Sequence, residues 1–268
     1  MHRAVKFTIS FIFLFSISAC NVMGPSARAT FTPQIIDMTE TVGITQTAIT
    51  TQTPTPSPTP SPTPTPDPII EQARAFAEPF LAAIANRPPE IVDDFSTTKK
   101  NWVYFDHSNI QDGVLYQSCK YNSFAVASSF KDLVFQVELR VNKSSINSNQ
   151  NIFLRWSALS SGTRNRGIFV SLNSAMQDWE VIRHWEGQFT PLASGHGNVS
   201  PLGEVTRVTI IAKGVQYAVY LNNVPVFYTQ DADLNVPGGI GLGCGSSAEE
   251  DIEWDNLKAW NLAYISIP

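Results

Sequence analysis

Leu133-Val-Phe-Gln-Val-Glu-Leu-Arg-Val141 is the clearest indication of the fold, because apolar and polar side chains alternate almost perfectly from Phe135 to Val141. A period of two is typical of a β-strand that buries one face and exposes the other. The chain on both sides repeats this pattern in short runs separated by Gly, Asn, Ser and Asp. The pattern predicts strands over residues 91–95, 113–119, 123–130, 133–141, 151–157, 167–173, 178–185, 205–213, 215–221, 224–229, 239–244 and 251–260.

These strands fill residues 91–268, a length that suits one antiparallel sandwich with a full core. Leu221-Asn222-Asn223-Val224 predicts a two-residue hairpin, because Asn tolerates positive φ. Residues 186–203 are rich in Gly, Ser and Asn, and we expect them to form a loop that frames a binding site. The glycines at 239, 241, 243 and 245 have no helix after them, so they indicate close strand packing rather than nucleotide binding.

Several turn and core markers recur in a familiar order along the domain. They are Asp93-Asp94-Phe95, Trp102, Gly113-Val114-Leu115, Phe135-Gln-Val-Glu-Leu139, Phe153-Leu154-Arg155, Val219-Tyr-Leu-Asn-Asn-Val224, Gly238-Gly239-Ile240-Gly241-Leu242 and Trp254-Asp255-Asn256-Leu257. This order resembles the concanavalin A-like lectin/glucanase jelly rolls, which include laminin G-like domains, over about residues 91–262. The resemblance implies an all-β fold, a two-sheet antiparallel jelly-roll sandwich. Asn223 stands where relatives usually carry Gly, which leaves the turn intact.

An acidic run near the end of the domain is the enzymatic candidate. Glu249-Glu250-Asp251-Ile252-Glu253 contains Glu-x-Asp-x-Glu, which looks like the signature of laminarinase- and lichenase-type glycosidases. That resemblance would make Glu249 the nucleophile, Asp251 its electrostatic partner and Glu253 the general acid/base. The motif enters the final strand instead of lying mid-domain, so the other interpretation is a solvated acidic loop. We therefore assign no catalytic residue from the sequence alone.

Aromatic side chains give a stronger indication of a ligand site. Sugar rings stack on aromatic faces, and Arg donors fix the sugar hydroxyls. We predict a ligand surface on Trp179, Arg183, Trp185 and Arg155, with Phe153, Phe169 and Phe189 nearby. The alternative is that most of these rings belong to the core, because a sandwich buries alternate residues of both sheets.

Two aspartates resemble the start of a calcium loop. Asp231-Ala-Asp233-Leu-Asn235 is followed by Val236 and Leu242 where an EF-hand needs Gly and Glu, so the run is no EF-hand. Lectin-like relatives often bind calcium through other loops, so calcium is the candidate cofactor and a polar turn is the alternative. The histidines show no zinc-ligand spacing, and His184 and His196 are interpreted as surface residues.

A short helix is predicted before the sandwich, over residues 69–87. Asp67 can cap it with Pro68 at the first position, and Pro79 should kink it. Its apolar positions recur at helical spacing on one face that carries Phe76, Phe80 and Ile84. One exposed helix is unstable alone, so we expect this face to dock on the sandwich, the alternative being a membrane-proximal oligomerisation helix.

The N-terminus predicts export. Residues 1–19 contain a basic start, an apolar run and small residues before Cys20, and Ile17-Ser18-Ala19-Cys20 resembles the lipobox of bacterial lipoproteins. The resemblance implies a lipidated Cys20 and an extracytoplasmic, membrane-anchored protein; plain secretion and an uncleaved anchor are the alternatives. Residues 20–68 predict a disordered Thr/Pro-rich stalk, because proline alternates at every second position from Pro54 to Pro68.

The two remaining cysteines, Cys119 and Cys244, are an even number in an oxidising compartment. They predict either a disulfide or two buried free thiols.

Charge and composition narrow the partners. The formal net charge is −5 and the chain has no Lys/Arg cluster, which argues against nucleic acid. We expect a membrane-anchored module that binds a carbohydrate, such as a cell-wall polysaccharide, or another extracellular ligand. The alternatives are a glycoside hydrolase or related sugar-processing enzyme, and a protein-binding adhesion module.

Overall fold

The computed structural model describes residues 67–97, 102–103, 108–119, 122–158, 165–245, 249–265 and 267. The predicted signal peptide, Cys20 and nearly all of the predicted stalk lie outside these residues. No helix in the described ranges is long and apolar enough to cross a membrane.

Within the described residues, fifteen strands form two antiparallel sheets, as the sequence predicts for a jelly-roll sandwich. In spatial order, sheet A contains β13 (Val224–Gln230), β12 (Gln216–Leu221), β11 (Val205–Lys213), β6 (Leu133–Lys143), β15 (Asp251–Asn261), β4 (Val114–Gln117) and β3 (Ser108–Gln111), with β1 (Ile91–Asp93) beside β15. Sheet B contains β10 (Gln188–His196), β9 (Asp178–Trp185), β8 (Asn165–Asn173), β7 (Asn149–Ala158), β14 (Gly238–Gly245), β5 (Asn122–Phe130) and β2 (Trp102–Val103).

Every second side chain of the alternating stretch on β6 faces the core. Phe135, Val137, Leu139 and Val141 are at most 1 % exposed and pack in the main core between the sheets. The intervening side chains lie on the outer face of sheet A. Register is therefore strongly specified, because a slip of one residue would turn the apolar set outward.

The Asn222-Asn223 hairpin is confirmed. Leu221 pairs with Val224, and both asparagines have positive φ, 50° and 65°. This is the conformation that a two-residue turn needs to match the twist of its strands.

One predicted loop is wrong. Within residues 186–203 the chain forms β10, which pairs with β9 along its whole length. Its composition is polar and it contains Pro191, features that a strand tolerates at the edge of a sheet. Strands β2 and β3 are short and were not predicted either.

Helix α1 spans Pro68–Ile84 and docks on the outer face of sheet A. The Asp67 side chain caps it by accepting a hydrogen bond from the Ile69 amide at 2.8 Å. Phe80 and Ile84 are buried against a second apolar cluster that includes Tyr220 and Trp260, with Phe76 packed at its margin. The expected docking is therefore confirmed, and the helix continues through Pro79.

Cys119 and Cys244 form a disulfide with their Cα atoms 5.8 Å apart. Cys119 lies just after β4 of sheet A, and Cys244 lies on β14 of sheet B. The disulfide therefore joins the two layers of the sandwich.

Candidate functional site

The outer face of sheet B, which we call the sheet B face, is laid out by strand register. On β7 to β10 and β14, residues that pair across the strands form four rows pointing away from the core. The rows are Gly245–Asn149–Asn173–Asp178–His196, Gly243–Asn151–Ser171–Glu180–Ser194, Gly241–Phe153–Phe169–Ile182–Pro191 and Gly239–Trp156–Gly167–His184–Phe189. The first two rows form a polar half, and the rings of the last two form an aromatic half.

A cavity of about 560 Å³ lies over the polar half. It is lined by Asn149, Ser171, Leu172, Asn173, Asp178, Trp179, Glu180, Ser194, Gly195 and His196. The Glu180 side chain has no hydrogen-bond or ion-pair partner among the described residues. An ionised carboxylate, serine hydroxyls and amides thus converge on one open space, where they can bind the hydroxyls of a ligand.

One pair in the cavity is already joined. The Nδ1 atom of His196 lies 2.8 Å from Oδ1 of Asp178. Because an ionised carboxylate only accepts, Nδ1 carries the proton and donates it to Asp178. This contact occupies Nδ1 of His196 and leaves Nε2 without a partner among the described residues.

Five rings contact one another in the aromatic half: Phe153, Trp156, Phe169, His184 and Phe189. His184 lies between two of them. Its ring stacks 4.2 Å from Phe189 with a 5° interplanar angle, and 5.5 Å from Trp156 with a 20° angle. Burial lowers the pKa of His184, so the ring is neutral at pH 7 and acts as an aromatic plate. The expectation that His184 is a surface residue is wrong, since it is 5 % exposed.

A bulge on β7 places two rings of the aromatic half on the same face. Strand pairing between β7 and β8 shifts after Leu154, and Arg155 adopts a φ of 51°. Phe153 and Trp156 consequently share a face although they are three residues apart, with ring centroids at 5.7 Å. Gly238 is required here, because a Cβ atom would overlap the Arg155 backbone.

The Arg155 side chain turns inward, so the prediction that it contacts a ligand is wrong. It is 1 % exposed, and its Nη1 atom donates to the carbonyl oxygens of Gly214 and Leu234, each at 2.8 Å. Its guanidinium also pairs with Asp132 and contacts the Tyr217 hydroxyl. Burial lowers the pKa of Arg155 and raises that of Tyr217 to about 12.

The other predicted ligand residues face the core side of β9. Trp179 and Trp185 share a side with Val181 and pack, partly buried, against the main core, and Trp179 also lines the cavity over the polar half. Successive side chains of a strand point to opposite faces, so a shift of one residue along β9 would have placed both tryptophans on the sheet B face.

Arg183, the remaining predicted ligand residue, binds the predicted calcium aspartates instead. Its guanidinium lies 3.3 Å from Asp231 and 2.5 Å from Asp233. The guanidinium of Arg183 therefore occupies one oxygen of each carboxylate. In the described ranges, no group of three acidic, His or Cys side chains is placed to hold a metal ion.

The acidic motif lies far from the sheet B face. Asp251 and Glu253 are on the outer face of sheet A, where Asn142 donates to both and Arg140 pairs with Glu253 at 3.3 Å. Glu249 is exposed ahead of β15, and the adjacent Glu250 is buried. The Asn142 amide thus holds the Asp251 and Glu253 carboxylates together, and Arg140 already occupies Glu253.

Sequence reasoning missed the residues of the polar half. Asp178 and Glu180 are two apart on a predicted strand, a spacing that places both on one face. That signal was available, but His196 comes to Asp178 only through the unpredicted strand β10.

Comparison with solved structures gives the same fold. The chain is similar to LamAcat from Zobellia galactanivorans, with 13 % identity, a TM-score of 0.53 and coverage of 67 % of this chain and 100 % of that one. It is similar to a galectin-like protein of unknown function from Bacillus subtilis, with 13 % identity, a TM-score of 0.53 and coverage of 65 % and 96 %. A Bacillus licheniformis beta-glucanase matches with 8 % identity, a TM-score of 0.51 and coverage of 66 % and 99 %. A search of curated proteins finds no match.

The topology defines the class, a two-sheet antiparallel jelly-roll domain. Within that class, residues 91–259 match the model of one family. The chain belongs to the family of 3-keto-alpha-glucoside-1,2-lyase-like domains.

Proposed function

We propose that this domain binds a carbohydrate in the polar half of the sheet B face. The observation that carries the proposal is the cavity of about 560 Å³ over that half, with Glu180 unpartnered among the described residues. A carboxylate that faces an open space binds two neighbouring sugar hydroxyls well, because it has several acceptor positions. Serine hydroxyls and asparagine amides supply the complementary donors.

We also propose that the protein is a lipoprotein held outside the cytoplasm by lipid on Cys20. The lipobox-like run before Cys20 and the Thr/Pro-rich stalk support this proposal. Radiolabelled palmitate should be incorporated into the full chain and lost in Cys20→Ala, with a matching shift from the membrane to the soluble fraction. Label that persists in Cys20→Ala contradicts the proposal.

Carbohydrate binding is tested on the full chain in detergent with a glycan array and a panel of soluble and insoluble polysaccharides, with calcium and with chelator. We expect retention on glycans. Glu180→Gln should weaken binding of a retained glycan at least about tenfold, because a hydrogen bond to a charged group is lost.

Glu253→Gln is the matched control, since it makes the same chemical change on the outer face of sheet A. Equal weakening in both variants, or none in Glu180→Gln, contradicts the proposed site. Retention on no glycan would favour a protein-binding module instead.

A second function is favoured by the Asp178–His196 pair and by the family to which the chain belongs. In a 3-keto α-glucoside, the ketone acidifies the neighbouring C2–H bond. A base that takes this proton lets the C1–O bond break, and the departing oxygen is then protonated. Nε2 of His196, with Nδ1 held by Asp178, can accept that proton.

This elimination is tested with 4-nitrophenyl 3-keto-α-glucoside, by following release of nitrophenol. We expect release by the full chain, a loss of at least about a hundredfold in His196→Ala, and no release from the 4-nitrophenyl α-glucoside that lacks the ketone. Absence of release together with glycan retention would leave the domain a noncatalytic binding module.

A further inference from the structure

We infer that the aromatic half of the sheet B face is a second subsite, which binds the C–H face of a sugar ring adjacent to the ring held in the polar half. This inference rests on the proposed function. It assigns the ligand as a glycan of at least two rings lying roughly along the strands.

The polar half and the aromatic half are continuous along the same strands. Strands β7 to β10 carry both, and the run from Asn149 to Trp156 spans about 20 Å at about 3.3 Å per residue. A single sugar ring in the polar cavity covers only part of this length. A ligand that continues along β7 must lie on Phe153 and Trp156.

The aromatic rings have open space on two sides. Gly241 is the register partner of Phe153, and Gly239 is that of Trp156, so β14 presents no side chain next to them. Phe189, at the other edge of the aromatic half, is 62 % exposed. The rings are therefore accessible to a ligand from the β14 side and at the β10 edge.

The rings of the aromatic half are held in place by their neighbours before any ligand binds. His184 is held between the Trp156 and Phe189 rings, and the inward side chain of Arg155 fixes the bulge that turns Trp156 outward. Gly167 allows β8 to approach this bulge closely, since a Cβ atom would lie 2.9 Å from the Leu154 carbonyl oxygen. Rings that are already ordered lose little conformational freedom on binding, which favours affinity.

The chemistry of the aromatic half selects its occupant. Its side chains are four hydrocarbon or indole rings and an imidazole, and none of them carries a charge at neutral pH. Aromatic faces carry partial negative charge and attract C–H groups that carry partial positive charge. The C–H face of a sugar ring meets this requirement while its hydroxyls remain in solvent or reach the polar half.

The test measures dissociation constants by calorimetry for methyl α-glucoside and for four glucose disaccharides: maltose, trehalose, cellobiose and laminaribiose. The full chain is compared with Phe189→Ala, Trp156→Ala and Phe189→Tyr. Tyr264→Ala is the control, because Tyr264 is an exposed aromatic, at 72 %, outside this face.

We expect at least one disaccharide to bind about tenfold more tightly than the monosaccharide. This gain should disappear in Phe189→Ala and Trp156→Ala, remain in Phe189→Tyr and Tyr264→Ala, and leave monosaccharide affinity unchanged. Phe189 is exposed, so its substitution keeps the test valid if Trp156→Ala does not fold.

The outcomes separate the two proposals. Monosaccharide binding without any gain for disaccharides, or a gain that survives in both alanine variants, overturns the subsite alone. Binding of none of these sugars, with no glycan retained on the array, overturns the proposed function and the subsite with it.

Discussion

The outer faces of the two sheets differ in how their polar groups are satisfied. On sheet A, helix α1 covers one part, and elsewhere the charges pair within the face: Glu138 with Arg207 at 2.7 Å and Glu253 with Arg140 at 3.3 Å. The hydrogen bond from Arg207 lowers the pKa of Glu138. On sheet B, Glu180 has no partner in the described part of the chain, and it borders a cavity.

This difference shows where ligand chemistry can occur. A carboxylate that already has an arginine partner gains little from a ligand, because binding would first have to break the existing pair. An unpartnered carboxylate beside serines and amides gains new hydrogen bonds without that loss. The acidic motif on β15 is the sequence feature that most resembles an active site, yet it lies on the outer face of sheet A, where the carboxylates already have partners.

The largest effect should come from removing the connection between the two sheets. We expect Cys119→Ser/Cys244→Ser to lose about 4–5 kcal/mol of unfolding free energy, because the disulfide closes a long loop of the unfolded chain. Urea unfolding with and without dithiothreitol measures this loss. Reduced wild type should match the variant; a variant within about 1 kcal/mol of the oxidised wild type would contradict the expectation.

Next in size is the network that builds the aromatic half. Arg155→Met should cost about 3 kcal/mol, since the Gly214 carbonyl loses its guanidinium donor and Asp132 loses the buried one of its two cationic partners. Arg140→Met is the control on sheet A, where an exposed pair should be worth less than about 1 kcal/mol. Similar losses in the two variants, measured by urea unfolding, would show that burial does not distinguish these arginines.

Weakening the contact between helix α1 and sheet A should lower stability without changing glycan binding on sheet B. Phe80→Ala removes a buried ring from the cluster under α1 and should cost up to about 3 kcal/mol. Limited proteolysis should then cut within the helix, while glycan affinity stays unchanged. Ile69→Ala, at an exposed position of the same helix, should change neither. Reduced glycan affinity in Phe80→Ala would mean that the two faces are coupled.

The smallest effect concerns pH. Burial holds the pKa of His184 below its value in the unfolded chain. The unfolded state therefore binds the proton first as pH falls below about 6.5. The free energy of unfolding decreases as pH falls through that range, and the contribution of neutral His184 is fully present above it. Unfolding free energies between pH 8 and pH 5 should fall less steeply in His184→Phe than in wild type. An equally steep fall in His184→Phe and in wild type would refute the assignment.

Local patterns predicted the strands, and the residues that depend on long-range pairing were missed. The alternation from Phe135 to Val141 and the Asn222-Asn223 turn act within a few residues, so the sequence is sufficient for them. The side of β9 that faces outward depends on its register with β8, which no local pattern records. Trp179 and Trp185 were therefore placed on the wrong side of the sheet.

The bulge had the same effect on β7. Simple alternation predicts that Phe153 and Arg155 share a face, but the positive φ at Arg155 sends that side chain inward and Trp156 outward. The position is stabilised by carbonyl groups from residues about 60 and 80 positions away. A local sequence pattern contains no information about partners at that distance along the chain.

The docking of helix α1 has a mechanical consequence. The chain enters the described domain at Asp67, and α1 rests on sheet A, whereas the cavity lies on the outer side of sheet B. A pulling force transmitted through the preceding segment would load the helix and its contacts with β12 and β13 first. Strands β7 to β10 lie in the other sheet. Tension on the chain would therefore strip the helix from its sheet before it deformed the surface that holds a ligand.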